Sequence, residues 1–168
     1  RKTKNLQLAL ILQMQLPMIE RISKALLYAT EALSNGWPIG DSAGPLVAAR
    51  MIGESRVKAF DEETLYVRKR VRGREVVVIK AKGPGGRLGN LGEIVEKFAR
   101  SGKVAKIITI DAALKLEGEK TGSIAEGVGV AIGGIGVDRS YIEGVSTAQS
   151  IPPDSVVIKM SPEEAFMP

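Results

Sequence analysis

The apolar positions fall into two periods along the chain, and the change between them comes near residue 36. Residues 3–34 read as helix, rich in Leu, Met and Gln, which are good helix formers. Apolar side chains run almost all the way round this helix, and Gln7, Gln13 and Gln15 do not share one face. Pro17 has no N–H to donate, which predicts a kink or break there. Beyond it, Ile19, Ile22, Leu26, Ala29 and Leu33 keep an amphipathic spacing until Asn35-Gly36 ends the run. A helix of such apolar girth is expected to pack on the core or on its copy in another subunit.

After residue 45 the pattern alternates strand and helix. A short helix is expected over 46–53, with Pro45 suited to its first turn, and a strand over 56–60. Residues 64–71 and 75–81 read as a hairpin joined near Arg72-Gly73. Leu65, Val67 and Val71 share one face of it, with Lys69 as the exception. A glycine-rich loop at 82–90 leads to a helix at 91–100. The β-branched run 104–110 reads as a strand buried on both faces, of the kind found in parallel sheets, with Asp111 at its carboxyl end. Residues 122–136 are apolar and full of glycine, fitting a strand with a bulge or a flap. A short helix is read within 138–150, a strand at 155–160, and a capped helix start at Ser161-Pro162-Glu163-Glu164. The alternation predicts an α/β fold. The expected division is a helical segment, 1–35, and a single α/β unit, 36–168.

Composition narrows the chemistry. There is no histidine and no cysteine, which removes Ser-His-Asp and Cys-His catalysis, Cys/His zinc sites, iron–sulfur clusters and disulfides. What remains is chemistry by Asp, Glu, Lys, Ser, Thr or Tyr, or by a hard cation held on oxygen. The net charge is +5, with Arg68, Lys69, Arg70, Arg72 and Arg74 concentrated on the hairpin. That stripe could read phosphates, yet a solvated strand face explains it as well, and scarce aromatics argue against a nucleic-acid partner. No stretch approaches the ~18 apolar residues of a membrane span. The expected location is cytoplasmic, with any tether supplied by a portion outside this sequence. The chain starts at Arg1 and stops in what reads as the first turn of a helix, so it is read as a fragment of a longer protein.

Two acids stand out. A carboxylate at the end of a central strand must face a crevice or find partners, and ligands of open α/β sheets bind at that end. Asp111 occupies that position, unless it caps a turn or accepts backbone N–H bonds. Asp41 lies in Gly40-Asp41-Ser42-Ala43-Gly44-Pro45, where Asp41 or Ser42 could cap the following helix. Alternatively, the small residues Gly40, Ser42 and Gly44 admit a ligand to the backbone beside Asp41. If Asp41 and Asp111 meet, one stays protonated as acid while the other activates water, with Ser42, Lys115 or Glu126 as neighbours. The same pair could hold a divalent cation on oxygen. A second reading is a non-catalytic module for an anionic small molecule or nucleotide, bound on free N–H groups of the strand–loop–helix at Gly83, Gly85, Gly86, Arg87 and Asn90. That loop is neither a Walker loop nor a G-x-G-x-x-G.

The stretch NGWPIGDSAGPLVA resembles the first motif of the superfamily of hydrogenase maturation proteases and the germination (spore) protease, and is similar to a GDxxGPLVG segment of a related sporulation family. IITIDAALKLEGEKTGSI resembles the second motif, a strand ending in Asp-Ala. Over nearly its whole length the chain is similar to an archaeal family of unknown function with longer members that begin with a hydrophobic anchor. The resemblance implies a three-layer α/β sandwich with a mostly parallel sheet, to which the basic hairpin and the N-terminal helices are additions. It implies a peptidase-like hydrolase with Asp41 and Asp111 at the positions of the acid pair, or of metal-holding acids. The chain departs from the pattern by lacking the histidine of the metal-binding members and by having helix where their first strand enters the Asp motif.

Overall fold

The computed structural model describes residues 5–83, 89–128 and 137–168. It opens with one long helix, α1 (Leu6–Ser34), capped by the Asn5 side chain, which accepts from the Leu8 N–H at 3.1 Å. Pro17 lies inside α1 and the helix continues on both sides, where a kink or break was expected. The Gln13 carbonyl that Pro17 cannot serve lies on an exposed stretch where water can bond it. Only Ala25, Ala29 and Ala32 of α1 are buried. The helix packs against α5 (Pro162–Phe166).

A 3₁₀ turn, Gly40–Ser42, runs directly into α2 (Ala43–Ile52). The strands then form two separate three-stranded sheets. In the first, β1 (Lys58–Ala59), β2 (Thr64–Val71) and β3 (Arg74–Ala81) are antiparallel and consecutive. Arg72 and Gly73 make its two-residue turn with φ of 48° and 80°, the positive pair that matches strand twist in a hairpin. Val67 and Val78 pack on Ile52 of α2. Lys69, the polar exception on that face, reaches the end of α2 and donates to the Met51 carbonyl at 2.6 Å. A charge that breaks the sheet pattern thus caps a helix.

The second sheet has the order β4 (Ile107–Leu114), β6 (Pro153–Met160), β5 (Ile124–Gly127). β4 and β6 are parallel, and β5 is antiparallel to β6. α3 (Leu91–Ala99) and α4 (Val137–Ala148) cover its near end through Ala99, Ile142, Val145 and Ile107. α2 touches β3 of one sheet and β4 of the other. The fold is therefore mixed α/β as expected, but the described strands form two sheets with one parallel pairing. The strand expected at 104–110 lies instead at 107–114, is not buried on both faces, and leaves Ile108 58% exposed. The ladder to β6 sets these bounds, since it runs from Ile107–Pro153 to Leu114–Met160. β5 falls within the glycine-rich stretch, most of the rest of which lies outside the described residues.

Candidate functional site

Asp111 is the fifth residue of β4, opposite Val157, and so not at the strand's end as expected. Ala112-Ala113-Leu114 carry the ladder on, because β6 offers backbone partners as far as Met160. The Asp111 side chain is exposed, and its Oδ1 accepts from the Ala112 N–H at 2.8 Å. Asp41 lies in the 3₁₀ turn, exposed, and neither it nor Ser42 caps α2 with its side chain.

Two glycines bring these segments together. A Cβ on Gly44 would lie 2.2 Å from the Ile110 carbonyl oxygen and 3.4 Å from the Asp111 Cα. The N-terminus of α2 is thus seated on the strand at Asp111, with Asp41 one helical turn, about 5 Å, further back. A Cβ on Gly40 would lie 2.1 Å from the Glu164 carbonyl oxygen, and the Gly40 N–H donates to the Met167 carbonyl at 2.7 Å. The close approach that these glycines permit is used by the protein's own backbone. Any larger residue at Gly40 or Gly44 would push the turn off α5 or β4.

The far side of the rim is tied by a polar network that the sequence did not announce. Thr121 donates to Glu164 at 2.7–2.8 Å, and Lys115 lies 2.7 Å from the Thr121 hydroxyl and 3.6 Å from the Glu164 carboxylate. Glu164 also closes the capping box of α5 with Ser161. Its carboxyl is held below the ordinary range by the Ser161 N–H first and the Thr121 hydroxyl next, with Lys115 adding its charge. Glu119 is lowered as well, by the Lys159 ammonium first and the Leu116 N–H next. The Ser161-Pro-Glu-Glu pattern signalled the helix cap, and nothing local signalled the reach to Thr121.

Lys115 is therefore engaged with α5. Glu126 shares a lateral row with Val156 and Ile110, whereas Asp111 shares one with Val157 and Ala125. Adjacent rows project from opposite faces, so Glu126 does not join Asp111. Among the described residues no cluster of three or more acids is arranged to hold a metal ion. Asp41 and Asp111 would supply two oxygen-donor groups to one.

Only part of the glycine-rich loop lies within the described residues. Gly85, Gly86 and Arg87 lie outside the described residues, and Gly83 turns with φ of 47°. Asn90 precedes α3 without capping it by its side chain, and its N–H donates to the buried Thr64 hydroxyl at 2.7 Å. The depression beside it, about 320 Å³, is lined by Asp61, Glu62 and Glu63 together with Gly89 and Asn90. Asp61 there accepts from the Glu63 and Thr64 N–H groups at 2.8 and 2.6 Å. On the hairpin, Arg68 pairs with Glu75 at 3.2 Å and lies over the Phe98 ring, so part of the basic stripe is neutralised within the fold.

The family model for the C-terminal part of a domain of unknown function, DUF1512, matches residues 39–168. The chain belongs to this family, and the matched span includes both aspartates and every strand of the two sheets. No curated protein and no solved structure matches it. Among the described residues no helix is long and apolar enough to cross a membrane.

Proposed function

We propose that this member of the DUF1512 C-terminal family is a peptidase-like hydrolase with Asp41 and Asp111 as its acid pair. The observation that supports it is the seating of Gly44 on Ile110 and Asp111, which places the 3₁₀ turn bearing Asp41 beside the strand bearing Asp111. The likeness of both segments to the two motifs of the maturation-protease superfamily points the same way, and the three-layer arrangement belongs to this proposal. One carboxylate takes a proton from water as the oxygen attacks the peptide carbonyl. The protonated partner delivers its proton to the departing amine as the C–N bond breaks.

The test is cleavage of a mixed peptide library, read by mass spectrometry as new chain ends, for the wild-type chain and for Asp41→Asn and Asp111→Asn. Each variant is expected to lose cleavage on the order of 100-fold or more while keeping the wild-type melting temperature. Cleavage retained by either folded variant overturns the assignment.

A further inference from the structure

From residue 5 to residue 19 α1 carries no charged side chain, and every residue from 5 to 24 is exposed. Although apolar residues lie on every side, Leu8, Leu12, Gln15, Ile19, Ile22 and Leu26 follow one another at steps of 4, 3, 4, 3 and 4, and the register runs on through Ala29 to Leu33. A strict repeat of 3.5 residues marks a helix that supercoils with another helix, because a lone straight helix drifts off such a seam. Leu8, Leu12, Ile19, Ile22, Leu26 and Leu33 are 38–53% exposed, whereas Ala29 is buried, so the seam is free along its N-terminal half and partly covered beyond it.

We infer that this seam pairs with the same seam of a second copy of the chain, parallel and in register. Three observations select that occupant. Gln15 is the one polar member of the seam, and only in-register parallel pairing sets its amide against another amide that can both donate and accept. The positions flanking the seam in the free half are Ala9, Ile11, Leu16 and Met18, with none of the opposite charges that select a different partner helix. The charges further along, Glu20, Arg21, Lys24 and Glu31, cancel, unlike the basic polar face of a helix lying on anionic lipid. The size also suffices. Over the exposed residues 5–24 the helix is about 30 Å long, and half its girth covers on the order of 500 Å² per copy, so a pair reaches roughly the 1,000 Å² that a specific interface needs. This inference is independent of the aspartate pair.

The test uses the chain 1–168. Light scattering is expected to give a mass of at least two chains, and Leu12→Asp with Ile19→Asp is expected to give one. Because the chain contains no cysteine, Gln15→Cys provides a second measurement. Under mild oxidation it is expected to cross-link on the order of tenfold faster than Gln13→Cys, which lies on the opposite side of the helix. A single-chain mass for the wild type, equal cross-linking at 13 and 15, or single chains that bind phosphatidylserine vesicles would each overturn the pairing.

Discussion

The two sheets are of equal strand number but differ in how far along the chain their partners lie. In β1-β2-β3 every pairing joins neighbours, and a two-residue turn fixes the register. In β4-β6-β5 the parallel pair joins residues 107–114 to 153–160, across a connection that contains β5 and α4. The first sheet carries the arginine stripe, and its polar exception, Lys69, serves a neighbouring helix. The second carries Asp111, and its far end is held by Lys115, Thr121 and Glu164. Local pairing specifies a sturdy support cheaply, whereas non-local pairing is what brings distant polar residues to one rim.

Gly44→Ala should separate the two most sharply. The added methyl would overlap the Ile110 carbonyl, so the second sheet must give way while the hairpin need not. A loss of about 2–3 kcal/mol is expected from urea unfolding. An unchanged midpoint would mean that α2 is not seated on β4.

Acid should weaken the second sheet next. Glu164 and Glu119 titrate below their ordinary value of 4.5 when folded, so their contribution is complete above that pH. It is lost as the pH falls through the lower folded values, where protonation breaks the bonds to Thr121, Ser161 and Lys159. Glu164→Gln should therefore show a smaller drop in urea midpoint between neutral and acid pH than the wild type. Parallel pH profiles would remove this carboxylate from the stability of the rim.

Arg72→Asn should give the smallest effect, and of opposite sign. Arg72 adopts a positive φ that asparagine tolerates better, and Asn-Gly is the preferred turn pair. A gain of about 0.5 kcal/mol is expected, measured by thermal unfolding. A loss would show that the arginine side chain holds the hairpin in a way that its backbone strain hides.

The same contrast explains what could be read in the residues beforehand. The hairpin was legible within one residue of its bounds because alternation and a turn are local signals: β2 runs Thr64–Val71 and β3 Arg74–Ala81. The α5 cap was legible for the same reason. β4 was displaced by several residues because its ends are set by β6, some 45 residues away, and not by its own β-branched run. Pro17 predicted a break by removing a hydrogen bond, but one missing bond on an exposed helix leaves the remainder intact. At the candidate site, two motifs singled out Asp41 and Asp111 in the sequence. The roles of Gly40 and Gly44 were not legible there, since a glycine in a loop does not say which backbone will press against it. The charge of Lys69 likewise revealed nothing of the helix end that it would reach.

α2 has both of its ends fastened. Its last carbonyls are gripped by Lys69 from the hairpin, and its first turn is wedged by Gly44 against β4. Ten residues of helix behave as a short stiff strut of about 15 Å. The arginine-bearing ribbon and the strand that carries Asp111 are thus the two anchorages of one rigid element.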